Sequence, residues 1–308
     1  MTNSNVSSLQ PIGNLTNLTI IEAGGTGVSD ISPIVNLSNL KTLNLGDTKV
    51  SSLKGIEGLQ KLESLGIDKT EVQDLSPVAA LSDLTALNIN EDSISNLNPI
   101  SNLKDLERIS ADKTGINTLE SFKNLKKLKW ITACQNNITC TDGIENSINL
   151  KELRSDDNNI NNINALSNLI ALDTLSLRDN NISDLKPLYK LSSMKNLYLY
   201  RNDIKSIDPL VNMKYLVRLY LDKNNISNLY ALSQMKSLKS LSFEDNSVSD
   251  IAPLGKFYKL ETLDMGDNYI TDIDAIMSLP KLKNLILTGN NVPESRINSL
   301  SPDVTVTK

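Results

Sequence analysis

The side chains able to do covalent or acid–base chemistry are few in this chain of 308 residues, and the most telling is the one it lacks, histidine. Its absence removes the commonest general base at neutral pH, the usual catalytic triads and histidine-ligated metals, so no enzymatic activity and no cofactor are expected. Gly24-Gly25-Thr26-Gly27 imitates a phosphate loop, but neither the Lys-Ser/Thr ending nor a long helix follows it, and glycines of a tight turn are the expected reading. The two cysteines, Cys134 and Cys140, can build no disulfide framework; free thiols are expected, and they do not report a compartment. Two acidic pairs are candidates for calcium, Asp157 with Asp179 and Asp245 with Asp267, if each pair lies on neighbouring strands. The alternating signs of Asp47, Lys69, Glu91 and Lys113, and of Asp179 with Arg201, argue instead for ion pairs between strands.

What remains is recognition chemistry. Of the six arginines, Arg108, Arg154, Arg178, Arg201 and Arg218 fall in equivalent columns of the repeat described below, together with the only tryptophan, Trp130, and with Tyr198, Tyr200 and Tyr220. Phe122, Phe243 and Phe257 fall in core columns instead. Arg, Tyr and Trp dominate interaction hot spots because they bury much area at modest entropic cost and direct hydrogen bonds. The competing reading is that these cations and rings merely stack on one another. Glu152, Asp156 and Asp222 among them suit a mixed-charge protein surface as target, with a glycan as the alternative.

The elements that must position these residues follow from a period of 22. Thirteen rows align without a gap from Asn14, beginning at 14, 36, 58, 80, 102, 124, 146, 168, 190, 212, 234, 256 and 278, the last leaving the pattern after Val292. Position 5 is Leu from Leu18 to Leu282 apart from Met194, and position 8 is always Leu or Ile. Positions 8 and 10, as in Leu219 and Leu221, alternate with polar residues, the period of a strand with one buried face. Positions 15, 18 and 21, as in Ile182, Leu185 and Leu188, return to the core at steps of three, which suits a 3-10 turn, and seven of the ten prolines sit at position 20. Position 13 is Thr26, Thr48, Thr70, Asp92 and Thr114, then Asn from Asn136 to Asn290, a polar ladder expected to satisfy backbone groups inside the turn. The expected fold is therefore an α/β leucine-rich-repeat solenoid, with a curved parallel sheet on the concave face and 3-10 or irregular turns on the convex face. Positions 7, 9, 11 and 12 should then face the concave side, which makes the Arg/Tyr/Trp columns of rows five to ten the candidate docking surface for a protein.

Rows such as Asn168 to Tyr189 and Asn212 to Ser233, and the Ser-Asp-Ile-Ser-Pro style of Ser29 to Pro33 and Ser183 to Pro187, resemble the leucine-rich repeats of the bacterial internalin family over essentially the whole chain. The resemblance implies a recognition module on the bacterial surface or secreted from it, docking a host or neighbouring-cell protein. A second expectation is an intracellular scaffold similar to the phosphatase-regulating leucine-rich-repeat proteins, which also use 22-residue rows.

A single domain over 1–308 is expected. Residues 1–13 form a partial first repeat, in which Val6, Leu9, Pro11 and Ile12 match Val28, Ile31, Pro33 and Ile34; rows fill 14–292, and 293–308 form a cap with a short helix from Pro293 to Leu300. Opening inside a repeat, without the helical cap the resemblance implies, suggests a segment of a longer protein with Met1 an added initiator. The uncapped first strand is a candidate edge for self-association. The net charge of −5 argues against nucleic acid, and the basic cluster Lys123, Lys126, Lys127 and Lys129 reads as a solvated face. No run approaches the ~18 apolar residues of a spanning helix, and residues 1–5 lack the basic start and apolar run of a signal peptide.

Overall fold

The computed structural model describes residues 2–308; the reading of Met1 as an added initiator lies outside the described residues. The fold is a leucine-rich-repeat solenoid in which each row contributes one three-residue strand. By its internal contacts the chain divides into two compact units, Met1–Asn158 and Asn159–Lys308.

The first unit carries β1 (Ile20–Glu22), β2 (Thr42–Asn44), β3 (Ser64–Gly66), β4 (Ala86–Asn88), β5 (Arg108–Ser110), β6 (Trp130–Thr132) and β7 (Glu152–Arg154), each parallel to the next. The second carries β8 (Thr174–Ser176), β9 (Asn196–Tyr198), β10 (Arg218–Tyr220), β11 (Ser240–Ser242), β12 (Thr262–Asp264), β13 (Asn284–Ile286) and β14 (Thr305–Thr307), again in order. Register follows the repeat, with Leu43 opposite Leu65 and Leu219 opposite Leu241, so within each unit the position-8 side chains stack on their equivalents, and all are removed from water. Its two strand neighbours point to the other side of the sheet. Phe122, Phe243 and Phe257 are fully buried, as their columns require.

Opposite the strands, the chain turns through short 3-10 segments such as Ser32–Ile34, Lys186–Leu188 and Asp208–Asn212, with proline near the start, where its missing donor costs nothing. Position 17 starts these turns with a side-chain acceptor: Asp30 Oδ1 takes the amide of Ser32 at 2.8 Å and Asp184 Oδ1 that of Lys186 at 2.9 Å. The row from Asn124 departs from this pattern. Cys140 stands at its position 17, no 3-10 segment is described there, and the backbone turns instead at Gly143 with φ 104°. Three core positions hereabouts hold small polar residues: Thr141, Ser147 and Ser155 are all buried. The Thr141 hydroxyl has no hydrogen-bond partner among the described residues.

The position-13 ladder is built differently by Thr26 and Thr48 than by asparagine. Thr26 and Thr48 donate their hydroxyls only within their own row, to the carbonyls of Ala23 (2.6 Å) and Leu45 (2.7 Å). Asn202 donates Nδ2 to Leu199 O and Tyr200 O of its own row and to Leu177 O of the row before at 2.9 Å, while its Oδ1 accepts the amide of Ile182 at 2.9 Å. Asn202 thus joins consecutive rows through both ends of its amide, whereas the hydroxyls of Thr26 and Thr48 complete only their own.

Position 12 is where the structure departs most from the strand reading. From Asp47 to Asp267 its residues have φ between 47° and 61°, the left-handed turn that ends the strand, and glycine fills the same place at Gly25 and Gly289. The C-terminal segment has α1 at Glu294–Ile297, with Pro293 as the residue before its first turn rather than inside it. It also adds β14, a strand outside the thirteen-row count. Asn284 pairs with Thr305, one residue short of the period, so the 22-residue grid passes over it.

Candidate functional site

Each unit presents part of the candidate surface on the solvent side of its strands. In the first unit, β5 and β6 place Arg108 and Trp130 as register partners. The Arg108 guanidinium lies 4.6 Å from the Trp130 ring centroid, and Lys129 Nζ lies 6.0 Å from it while pairing with Glu107 at 2.7 Å. Arg154, on β7, bonds Glu152 through Nε. Trp130 is half-buried, and Arg108 and Arg154 are exposed.

In the second unit, Tyr198 of β9 and Tyr220 of β10 are register partners with rings stacked at 5.3 Å and 12°. The Tyr220 hydroxyl is 2.9 Å from Ser240 Oγ, and Arg218 donates to Asn196 Oδ1 at 3.1 Å. Just beyond the strands, Arg178 donates to the Tyr200 hydroxyl at 2.6 Å with its guanidinium 5.7 Å from that ring. Arg201 occupies a left-handed turn position, not the strand, and its Nη1 lies 3.1 Å from Asp179 Oδ1. Cations and rings therefore do stack on one another at Arg108–Trp130 and Arg178–Tyr200. The Tyr198–Tyr220 pair stacks ring on ring, with no cation seated over either ring among the described residues.

The amides of Gly25 and Gly27 are spent on Gly46 O and Val6 O, both at 2.8 Å, and the Thr26 hydroxyl on its own turn, so this glycine run is engaged as a turn. Asp157 lies in the first unit and Asp179, engaged by Arg201, in the second. Asp245 and Asp267 both sit at left-handed turns. Among the described residues no three acidic or cysteine side chains are grouped to hold a metal. Lys69 and Lys113 reach Glu91 at 3.7 and 3.9 Å, the interstrand pairing expected from alternating signs. Both cysteines are free; burial, then the Asp112 charge, pushes the Cys134 thiol up to about 12, and burial also raises Cys140. Neither carries a reactive thiolate at neutral pH.

Two features escape the sequence reading. An open trough of about 360 Å³ runs along the strand face of the first unit, lined by Glu22, Asn44, Gly66, Asp68, Asn88 and Arg108; its signal is the run of small residues Ser64, Gly66 and Ala86 at strand positions. The remaining tyrosines, Tyr189, Tyr215, Tyr230, Tyr258 and Tyr269, lie off the strands and are 55–71% exposed. They occupy columns the reading left unexamined.

The sequence matches the family model described as leucine-rich repeats (two copies) over residues 170–212, 236–276 and 259–302. No curated protein matches the chain. Among solved structures it is similar to an internalin, InlF, from Listeria monocytogenes, with 28% identity and a TM-score of 0.92 over 95% of this chain and 87% of that one. It is also similar to the leucine-rich-repeat protein LIC12759 of Leptospira interrogans, with 21% identity and a TM-score of 0.81 over 100% of this chain and 94% of that one. Toll in its complex with Spatzle, from Drosophila, matches at 18% identity and a TM-score of 0.74 over 94% of this chain and 47% of that one. No described helix is long and apolar enough to cross a membrane.

Proposed function

We propose that this internalin-like leucine-rich-repeat protein is a non-catalytic module that recognises a partner protein through the strand faces of its two units, and that it works at the surface of a bacterium or after secretion from it. In the first unit the contacting residues are Arg108, Trp130 and Arg154; in the second they are Arg178, Tyr198, Tyr200, Arg201, Arg218 and Tyr220. The observation that carries the reading is the Tyr198–Tyr220 stack: two half-buried rings fixed against each other, with the Tyr220 hydroxyl tethered to Ser240. Rings already ordered in the free protein lose little entropy on binding, which is how a few residues come to dominate an interface. Likeness to a receptor solved with a protein ligand supports the same reading, as does the absence of histidine.

The test is the triple variant Trp130→Ala, Tyr198→Ala and Tyr220→Ala in the full chain. Partner capture is expected to be lost while the far-ultraviolet circular dichroism stays that of the parent. Retained capture places the interface elsewhere, with Tyr189, Tyr215, Tyr230, Tyr258 and Tyr269 the next surface to alter.

A further inference from the structure

Ion pairing between rows recurs beside the strands. Lys41–Glu63 (2.6 Å), Lys127–Asp105 (2.5 Å) and Lys129–Glu107 (2.7 Å) do it in the first unit, and Lys195–Asp173 (3.2 Å) and Arg201–Asp179 (3.1 Å) in the second. Lys239 and Glu261 keep that pairing at 3.6 Å between the rows of β11 and β12, but the carboxylates on and just past these strands stand outside it. Asp222, Glu244 and Asp264 lie there, with Asp267 at the following turn, and none has an ion pair among the described residues. Asp222 Oδ1 accepts from the Ser242 hydroxyl and, at 2.9 Å, from the Glu244 amide; Asp264 Oδ1 accepts the Gly266 amide at 3.1 Å. A Cβ placed on Gly266 would lie 2.7 Å from Thr288 Oγ1 and 3.5 Å from both Asp264 Oδ1 and Glu244 Cγ, so the side chains of Glu244 and Asp264 flank this glycine. Burial first, and then repulsion among Asp222, Asp264 and Asp267, hold Glu244 above the usual carboxylate range, with Lys223 the one base opposing it. Burial and the charges of Asp222 and Asp267 do the same to Asp264.

This uncompensated charge adjoins the ring stack. Tyr220 is in register with Ser242 and Ser242 with Asp264, so the position-9 column reads Tyr198, Tyr220, Ser242, Asp264 at about 4.8 Å per strand. Ser242 is small and buried, and it leaves the way from rings to carboxylates open.

We infer that this face docks a basic segment of the partner protein, an extended run with lysine or arginine side chains whose cations lie over the Tyr198–Tyr220 stack and against Glu244 and Asp264. The inference rests on the recognition reading above and adds the partner's chemistry. Two complementarities select such an occupant: ring faces attract cations, most of all arginine, and a cation supplies the neutralisation that the rows elsewhere obtain from their own lysines.

The probe is a fluorescein-labelled peptide of alternating glycine and arginine, read by fluorescence anisotropy on the full chain against a glycine–glutamate peptide of the same length. The arginine peptide is expected to bind at least about tenfold more tightly than the control, and to weaken as salt screens the pairing. Glu244→Gln with Asp264→Asn is expected to lower its affinity at least about tenfold while raising the melting temperature, because the same substitutions relieve repulsion in the free protein. Asp264→Asn alone keeps the Gly266 hydrogen bond and gives a smaller loss. Equal binding of the two peptides, or undiminished affinity in the double variant, overturns the inference. A natural partner that requires Trp130, Tyr198 and Tyr220 but ignores the double variant overturns it too and leaves the recognition reading standing; indifference to all five positions overturns both.

Discussion

Asp92 is the one carboxylate in the position-13 ladder, and replacing it with asparagine tests how that ladder works. Its Oδ1 accepts the Thr70 amide at 2.7 Å and the Thr70 hydroxyl at 3.0 Å, as Asn136 Oδ1 accepts from Thr114 two rows later. Asn136 then turns its Nδ2 donor toward the carbonyls of Ala111 and Cys134. The equivalent atom of Asp92 is Oδ2, which is buried without a hydrogen-bond partner among the described residues. Burial, reinforced by the charge of Asp68 against the opposing bonds from Thr70, pushes the Asp92 carboxyl from 3.8 to about 7. Between pH ~4 and ~7 the folded chain therefore holds a proton that the unfolded chain has released, so the contribution of this group to stability falls as pH rises through that window and is fully lost above it. At about 1.4 kcal/mol per pH unit the cost reaches roughly 4 kcal/mol at pH 8. Asp92→Asn removes this cost and adds a donor, and is expected to raise the melting temperature at pH 8 by on the order of 6 °C for a chain of this length melting in one step. The gain should shrink below pH 5. Paired thermal melts from pH 4.5 to 8 read the difference, and other titrating acids, Glu244 and Asp264 included, cancel between the two proteins. An equal pH dependence in parent and variant would refute the reasoning.

Three further outcomes follow from the same geometry. Asn202→Ala leaves the buried carbonyls of Leu177, Leu199 and Tyr200 and the amide of Ile182 short of partners, and is expected to cost about 2–4 kcal/mol in urea denaturation; a loss within error of zero contradicts the ladder. At Gly143 a Cβ would stand 2.2 Å from Leu119 O at a φ of 104°, so Gly143→Ala should lower the melting temperature far more than Gly115→Ala, where φ is also positive but no atom lies within 4 Å of the added carbon. Cys134, with its thiol raised to about 12, should resist iodoacetamide at pH 8 in the native chain and react once urea unfolds it; rapid native labelling is the contrary result.

The period carried most of the fold. Because position 8 stacks on itself every 22 residues, Leu219 could be placed opposite Leu241 from spacing alone, and the inward Asn column followed from its being polar where every row turns. The left-handed turn at position 12 was not legible, because Asp, Lys, Glu, Gln and Arg fill it from Asp47 to Asp267 and glycine stands there only at Gly25 and Gly289, and this drew Arg201 onto the strand face. β14 was hidden by its 21-residue offset. Column statistics found Arg108, Trp130, Arg178 and Tyr200, but their mutual stacking depends on side-chain conformations that no column records. The placement of Glu244 and Asp264 on either side of Gly266 escaped for a related reason: it needs positions 9 and 11 of adjacent rows to be compared across strands, not along one column.

Hydroxyl-radical footprinting of the partner complex tests the central claim most directly, since the chain carries ring side chains on competing surfaces. Recognition through the strand faces predicts that Trp130, Tyr198 and Tyr220 become protected while Tyr215 and Tyr230, 67% and 71% exposed in the free chain, stay reactive. Protection of Tyr215 and Tyr230 with Trp130, Tyr198 and Tyr220 unchanged would contradict it.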